Sequence, residues 1–180
     1  MSAFKIISST GIAGQTGSPS EGDCSQCHSG GSSIVSGATI TAIPGFTNSE
    51  YVPGQTYTIN VLVGAISFSN FGFGCEILNA ANADAGTMQN AGAGVKFVTA
   101  GNGRKNATHI TPKAGNNITS FSFEWVAPNS GNATIYAAGN CVNLNGNTTG
   151  DLPVKTSLAL TAQVASGVNE IENKQLSHLK

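Results

Sequence analysis

The feature that most constrains the fold is a period-two alternation of apolar and polar residues that recurs along the chain. The clearest stretch is 71–78, in which Phe71, Phe73, Cys75 and Ile77 alternate with smaller or polar residues. Residues 57–63 and 121–125 show the same pattern and residues 33–43 show it loosely, while residues 95–98 are a short apolar run and residues 134–138 and 158–164 complete the set. Successive side chains of a strand point to opposite faces, so each stretch predicts a strand with one buried face. About seven such strands predict an all-β fold, an antiparallel immunoglobulin-like β-sandwich.

The composition supports this fold and suggests a location. Gly, Pro and Asn mark the connections, at residues 53–54, 101–103, 115–117 and 145–147, and Gly and Asn tolerate the positive φ of tight turns. Charged residues make up only 9% of the chain, against about 25% in ordinary soluble domains. Polarity from Ser, Thr and Asn is common in secreted proteins. We therefore expect an extracytoplasmic protein whose export signal has been removed, since residues 3–7 are too short an apolar stretch for one.

The charge pattern argues against two classes of partner. The chain has eight Lys and Arg, nine Asp and Glu, and a formal net charge of -1. Basic residues spread this thinly form no stripe for phosphate contacts, so nucleic acid is not an expected partner. No run of about 18 apolar residues occurs, so no membrane-spanning segment is expected.

Three regions follow from these patterns. Residues 1–33 are rich in Gly, Ser and Thr and predict an extended N-terminal arm outside the sandwich. Residues 34–166 contain the alternating stretches and predict the β-sandwich. Residues 167–180 are suddenly charged and polar, and they predict a C-terminal linker or tail.

The arm carries the one strong chemical signal, the sequence Cys24-Ser25-Gln26-Cys27-His28. C-x-x-C-H is the attachment pattern of c-type haem. Two thiols at this spacing can add to two vinyl groups on one edge of the porphyrin, and the adjacent imidazole can then bind the iron. The motif predicts one covalent haem c, with thioether bonds from Cys24 and Cys27 and with His28 as the proximal iron ligand.

Three other interpretations of the motif stay open. It could be half of a zinc site, although no second C-x-x-C or His pair follows at a useful spacing. It could be a redox dithiol, although such motifs usually lie near a βαβ pattern, which this chain lacks. It could also be a plain disulfide or a chance match.

An electron-transfer haem needs a second axial ligand, and the chain has only three His and two Met. His109 lies in a polar segment between two predicted strands, and a loop there could place it over a haem held by the arm. We predict His109 as the distal ligand. Met88, in another predicted loop, is the alternative and would raise the reduction potential. His178 lies in the tail and is less favoured, and the sixth position could instead stay open or take a foreign ligand.

The two remaining cysteines, Cys75 and Cys141, fall in different predicted strands or strand ends. In an exported chain, an even leftover pair suggests a disulfide. The loop between them is long, and a bridge that closes it would contribute on the order of 4 kcal/mol to the free energy of unfolding in the chain-entropy description. The alternative is two buried free thiols that pack as small hydrophobic groups.

Several short motifs, taken in order, resemble a known family. They are residues 14–19 before the C-x-x-C-H motif, Phe71-Gly72-Phe73-Gly74, Thr108-His109-Ile110-Thr111, residues 123–128, residues 135–140 and Gly150-Asp151. Over roughly residues 11–165 the chain resembles exported bacterial proteins that join a monohaem site to a reelin-like (Reeler-type) β-sandwich. Residues 168–172 resemble the linker into a type IX secretion sorting domain. The resemblance implies a secreted or cell-surface protein of Bacteroidota-type bacteria, with no particular substrate, and its pattern does not include Cys75 or Cys141.

These observations predict a monohaem c-type cytochrome that transfers single electrons at the cell surface. Its partners would be redox proteins, or other copies of itself in a homo-oligomer or filament. The alternative is a reelin-like adhesion or binding module in which the haem is structural or sensory. No Ser-His-Asp, paired-carboxylate or phosphate-loop arrangement occurs, so we expect no enzyme and interpret Glu76, Glu124 and Asp151 as solvated or structural. Peroxidase-like chemistry stays open only if the iron keeps a free face.

Overall fold

A computed structural model describes residues 9–164, and in these residues nearly all regular structure is β. One 3-10 turn spans Cys24–Gln26. The strands are β1 (Ser29–Gly30), β2 (Ser36–Ile43), β3 (Glu50–Tyr51), β4 (Thr56–Ala65), β5 (Asn70–Leu78), β6 (Thr87–Gln89), β7 (Val95–Thr99), β8 (Lys105–His109), β9 (Lys113–Ala114), β10 (Ile118–Val126), β11 (Asn132–Val142) and β12 (Thr149–Ala162). Each of the seven stretches predicted from alternation overlaps a strand, which confirms them.

The strands form two sheets that pack face to face. The eight-stranded sheet has the order β1-β12-β11-β5-β8-β7, with β3 also paired to β12 and β9 to β5. The four-stranded sheet has the order β2-β4-β10-β6. Pairing is antiparallel except where the two-residue strands β1 and β3 run parallel to β12. The predicted β-sandwich is therefore confirmed, with two short parallel pairings that the sequence does not indicate.

The core is made by the apolar faces of the alternating strands. Phe73 of β5 and Phe121 of β10 stack across the two sheets, with ring centroids 4.3 Å apart. Trp125 is fully buried, and its indole nitrogen donates a hydrogen bond of 2.7 Å to the carbonyl oxygen of Ala85. A buried Trp is stable only when its N–H finds an acceptor, so this bond explains how β10 can carry Trp inward.

Strand β5 differs from the others because both of its faces are buried. Its phenylalanines face the core, while Gly72, Gly74 and Glu76 face away from it. The N-terminal arm covers Gly74 and Glu76, and the ring of His109 covers Gly72. The expected arm therefore lies against the outer face of the eight-stranded sheet, and its residues Ser29–Gly30 join the edge of that sheet as β1. Residues 1–8 and the predicted tail at 167–180 lie outside the described residues.

Cys75 and Cys141 do not form the predicted disulfide. Both thiols are free and buried, on the neighbouring strands β5 and β11. The register places Cys75 opposite Ala137, so Cys141 lies four residues (141 − 137) further along β11. Four residues of strand span about 13 Å, whereas the Cα atoms of a disulfide lie about 4.4–6.8 Å apart. The two thiols instead pack in the core as small hydrophobic groups.

Within residues 9–164, no helix is long and apolar enough to cross a membrane.

Candidate functional site

The C-x-x-C-H motif folds into a single tight turn. Asp23 caps the 3-10 turn, and its carboxylate accepts a hydrogen bond of 2.9 Å from the backbone N–H of Ser25. The carbonyl oxygen of Cys24 then accepts hydrogen bonds from the N–H groups of Cys27, at 3.2 Å, and His28, at 2.9 Å. These i to i+3 and i to i+4 bonds wind the backbone back on itself. The turn thereby brings both thiols and the imidazole to one cavity.

His28 is held at one nitrogen by a buried carboxylate. Its Nδ1 lies 2.7 Å from Oδ2 of Asp151, a residue of β12 that is only 2% exposed. The residues that follow His28 form β1, which pairs with the start of β12. The chain folds this way because Gly30 and Gly150 both take a positive φ, a conformation that favours glycine. The backbone pairing and the side-chain contact therefore fix the imidazole together.

His109 is the last residue of β8 and does not lie in the loop predicted for it. Its Nδ1 is 3.1 Å from both the amide nitrogen and the carbonyl oxygen of Phe73. The ring lies over Gly72, where a Cβ atom would be 2.7 Å from the imidazole Cε1. Burial lowers the pKa of His109 below its ordinary value of 6.5, and the nearby charges of Lys96 and His28 act in the same direction. His109 is therefore a neutral imidazole near neutral pH.

A single cavity joins these groups. Its wall is made by two segments of the arm, within residues 9–15 and 24–28, and by residues of β5, β8 and β11. The side chains that matter for chemistry are Cys24, Cys27, His28, His109 and Asn140. The structure thus brings together the three motif residues and the histidine predicted as their partner, although His109 comes from a distant part of the chain.

Met88, the alternative ligand, lies elsewhere. It belongs to β6, opposite Trp125 in the four-stranded sheet, and is 5% exposed. It does not line the cavity that contains the motif. The predicted loop around it is a short strand, because its side chain packs in the core. His178 lies outside the described residues.

The thiols differ in their surroundings. Burial raises the pKa of the Cys24 thiol to about 12, and the neighbouring Asp23 carboxylate adds to this effect. Cys27 and Cys24 are both partly exposed and neither forms a disulfide. Both thiols line the cavity, and neither is engaged in a disulfide.

A buried polar cluster fastens the arm to the sheet. It consists of Thr16, Ser18 and Glu21 of the arm together with Glu76, Arg104 and Asn106 of the sheet side. Thr16 and Ser18 donate hydrogen bonds to the carboxylate of Glu76. The guanidinium of Arg104 lies 3.2 Å from Glu76 and 3.3 Å from Glu21. We call these six residues the arm clamp.

The two carboxyl groups of the arm clamp are shifted in opposite directions. Burial raises the pKa of Glu76 above its ordinary 4.5, the charge of Glu21 adds to this, and Arg104 opposes it. Burial also acts to raise the pKa of Glu21, but hydrogen bonds from Thr16, Asn102 and Arg104 outweigh it and the net pKa is lowered. One guanidinium thus serves two carboxylates, and the more deeply buried Glu76 holds a proton more readily.

Three features of the site are absent from the sequence prediction. Asp151 and Glu76 are buried and hold other groups in place, which fits the structural half of their interpretation and not the solvated half, whereas Glu124 is partly exposed and bonded to Asn90. The amide of Asn140 is 5% exposed, and its Oδ1 has no hydrogen-bond partner among the described residues. The alternating glycines at 72 and 74 were the available signal, because glycine outside the core face of a strand indicates close approach of another backbone.

The described residues contain no group of three or more His, Cys, Asp or Glu side chains that could hold a metal ion by themselves. His28 and His109 are two separate nitrogen donors on one cavity. A group that brings most of its own metal ligands would need no more than these two.

Comparison with known proteins supports the fold alone. No family matches the sequence, and no curated protein matches it. The Reelin-N domain of F-spondin is 17% identical, with a TM-score of 0.52, over 78% of this chain and 96% of that chain. The reeler domain of human F-spondin is 18% identical, with a TM-score of 0.46, over 78% of this chain and 99% of that chain. The sandwich is therefore similar in fold to the Reelin-N domain of F-spondin.

Proposed function

We propose that this chain is an extracytoplasmic c-type haem protein that transfers single electrons at the cell surface. Cys24 and Cys27 would form the thioether bonds, His28 would be the proximal iron ligand and His109 the distal one. The observation that carries the proposal is that these four side chains line one cavity. Neither the sequence spacing nor the fold requires this meeting, because His109 belongs to a different strand from any part of the motif.

The imidazoles support iron ligation through their hydrogen bonds. Each ring uses Nδ1 for a protein contact, His28 with Asp151 and His109 with Phe73. Among residues 9–164 neither Nε2 has a hydrogen-bond partner. Metal-binding histidines commonly use one nitrogen for the metal and donate the N–H of the other to the protein. His28 can do so through Asp151, and His109 can do so in the tautomer whose Nδ1–H donates to the carbonyl oxygen of Phe73.

The donor set favours haem over zinc. A structural zinc ion takes about four protein ligands, and the described residues offer no group of even three. Haem iron takes one or two ligands from the protein. Two histidines beside two thiols that can bond the porphyrin edge match that requirement, and the unpartnered amide of Asn140 gives the cavity a polar group for a bound molecule.

The space at the site limits how deeply the group would be covered. The volume of the cavity is about 100 Å³, whereas pockets that bury most of a drug-sized ligand measure about 300–1,000 Å³. A porphyrin attached to Cys24 and Cys27 would therefore lie partly at the open mouth of the cavity. Exposure of one edge suits exchange of electrons with another protein.

The chain's own residues would define the chemistry. When bound, the haem would supply reversible one-electron redox chemistry, and the protein would set its ligands and its access to solvent. Two imidazole ligands leave the reduction potential lower than one imidazole and one thioether. Ligation by His109 would also close the second face of the iron, which disfavours peroxidase-like chemistry.

The mass and the absorption spectra of the purified full chain test this proposal. Intact-mass spectrometry and a pyridine haemochrome spectrum should show one covalent haem c. The reduced spectrum should be low-spin and unaffected by carbon monoxide. The variant His109→Ala should open the sixth position and give a carbon-monoxide-binding spectrum.

Met88→Leu is the matched control, because it changes the alternative ligand in the core and should leave the spectrum unchanged. If His109→Ala has the wild-type spectrum and Met88→Leu does not, the assignment of His109 is incorrect. Absence of haem from the mass of the protein, expressed where c-type haem attachment operates, would contradict the proposal as a whole.

A second candidate function is a reelin-like binding or adhesion module, in which any haem would be structural or sensory. The similarity of fold to the F-spondin domain favours it. So does a group of exposed apolar side chains at one end of the four-stranded sheet, namely Ile34, Val35, Ile66 and Ile118. Sedimentation of the haem-loaded protein and of Ile118→Ser would show whether this end mediates assembly. A haem-free protein that self-associates through this end would favour the second function.

A further inference from the structure

The contact between His28 and Asp151 affects the tautomer of the imidazole ring as well as its placement. Nδ1 of His28 lies 2.7 Å from Oδ2 of Asp151, and the carboxylate is 2% exposed. A buried carboxylate that accepts a hydrogen bond from the Nδ1–H group of His28 keeps the proton on Nδ1. The lone pair of the neutral ring is then on Nε2, and the negative charge makes this nitrogen a stronger donor.

Asp151 is itself held from several directions. Its Oδ1 accepts a hydrogen bond of 3.0 Å from the backbone N–H of Asn143. Its carbonyl oxygen accepts one of 2.9 Å from the N–H of Gly31, just after the motif. At Gly31 a Cβ atom would be 2.7 Å from the carbonyl carbon of Asp151, so only glycine allows this approach. The carboxylate is thus fixed relative to His28 by the backbone on both sides.

The two histidines of the cavity differ in this respect. His109 meets only the neutral backbone of Phe73 at its Nδ1, whereas His28 meets a full negative charge. A carboxylate behind one axial ligand stabilises the more highly charged, oxidised iron relative to the reduced iron. The charge of Asp151 would therefore affect the reduction potential of the site as well as the placement of the His28 ring.

We propose that Asp151 is a positioning residue for the haem: it fixes His28 as the Nδ1–H tautomer with Nε2 directed to the iron, and it lowers the reduction potential of the site. This inference rests on the proposed function. Asp151 acts through His28 and would not touch the iron.

The first experiment compares the haem-loaded wild type with Asp151→Asn, which keeps the shape of the side chain and removes its charge. Glu124→Gln is the matched control, because it removes one negative charge on β10, where Glu124 accepts hydrogen bonds from Gln89 and Asn90. At the midpoint potential of the wild type, the ratio of reduced to oxidised haem should rise at least tenfold in Asp151→Asn, or about 59 mV for one electron. A change in Asp151→Asn no larger than in Glu124→Gln would overturn the electronic part.

The second experiment needs neither haem nor a variant. In the full-length wild-type chain prepared without attached haem, nitrogen-15 NMR of the neutral His28 ring should show the proton on Nδ1. A proton on Nε2 would overturn the positioning role even if Asp151→Asn fails to fold. Absence of covalent haem by mass spectrometry contradicts the proposed function, and this NMR result distinguishes that failure from a failure of the Asp151 assignment.

Discussion

Glycine at position 74 shows how one missing side chain builds the site. A Cβ atom there would lie 2.6 Å from the backbone carbonyl oxygen of Gln15, which is much closer than van der Waals contact. Phe71 and Phe73 of the same strand face the core. The alternation of Phe and Gly therefore encodes two packing surfaces, one for the other sheet and one for the arm.

Substitution Gly74→Ala tests this close approach. The added methyl group meets backbone and must displace the arm, so we expect a loss of about 1–3 kcal/mol in the free energy of unfolding. Amide hydrogen exchange of residues 14–18 should also become faster. Urea unfolding followed by tryptophan fluorescence measures the first effect, and mass spectrometry measures the second.

Gly37→Ala is the control, because Gly37 lies in the exposed strand β2 and a Cβ atom there would meet nothing within 4 Å. Its free energy of unfolding should stay the same or rise by up to about 1 kcal/mol, since alanine restricts the unfolded chain. Equal stabilities for the two variants would show that the arm does not pack on β5 in solution.

At the scale of elements, the arm and the sheet are joined mainly by polar contacts. The arm clamp places Arg104 between two carboxylates, and the side chain of Arg104 is only 9% exposed. By contrast, the ion pair of Lys155 with Asp23 has a lysine side chain that is 65% exposed. Water screens the second pair and not the first, so two ion pairs on the same arm should differ greatly in their energetic effect.

Arg104→Met and Lys155→Met compare these two ion pairs directly. Arg104→Met leaves Glu76 buried without its counter-charge, and we expect a loss of about 3–5 kcal/mol. Lys155→Met should cost less than about 1 kcal/mol. Urea unfolding gives both values, and limited proteolysis of the arm should be faster only for Arg104→Met.

The pH dependence of Arg104→Met follows from the raised pKa of Glu76. A carboxyl group with a higher pKa in the folded state destabilises the fold as pH rises through its titration range. Arg104 opposes that rise in the wild type, so its removal raises the folded pKa further. The deficit should be largest near neutral pH and shrink as pH falls toward 4.5, the ordinary value. A deficit independent of pH would mean that Glu76 is not the cause.

At the scale of the whole molecule, the long strands were predictable because their alternation extends over many residues. The strands β1, β3, β6, β8 and β9 have two to five residues and show no recognisable period, whereas β7, with five, is indicated by its short apolar run. The arm looked loose because its contacts are polar and long-range; the His28–Asp151 contact spans 123 positions. Residue types could therefore suggest which side chains carry chemistry, but only the fold shows that they meet.

The disulfide prediction failed for a related reason. An even number of cysteines indicates a possible pair, but the register of β5 against β11 decides the distance, and register is set by all of the pairs along both strands. Once the strands are aligned by their apolar faces, Cys75 and Cys141 point into the same core without being opposite each other. Both are fully buried.

This burial predicts how the two thiols react. Burial raises the pKa of both, and that of Cys141 to about 11, so neither forms the reactive thiolate at pH 8. In the native protein without reductant, a maleimide should modify neither of them except at the rate of global unfolding. In denaturant, again without reductant, both should react at once.

Cys141→Ala isolates Cys75 and serves as the control for assigning each labelled mass. The buried Cys75 thiol of this variant should be modified at a rate that rises with urea in parallel with the unfolded fraction. A residue in the middle of β5 is exposed only when both sheets separate. If Cys75 and Cys141 of the wild type reacted in denaturant only after addition of a reductant, a bridge would exist and the β5–β11 register would be shifted. Labelling that precedes unfolding would instead mean that the sandwich opens locally at the strand beneath the arm.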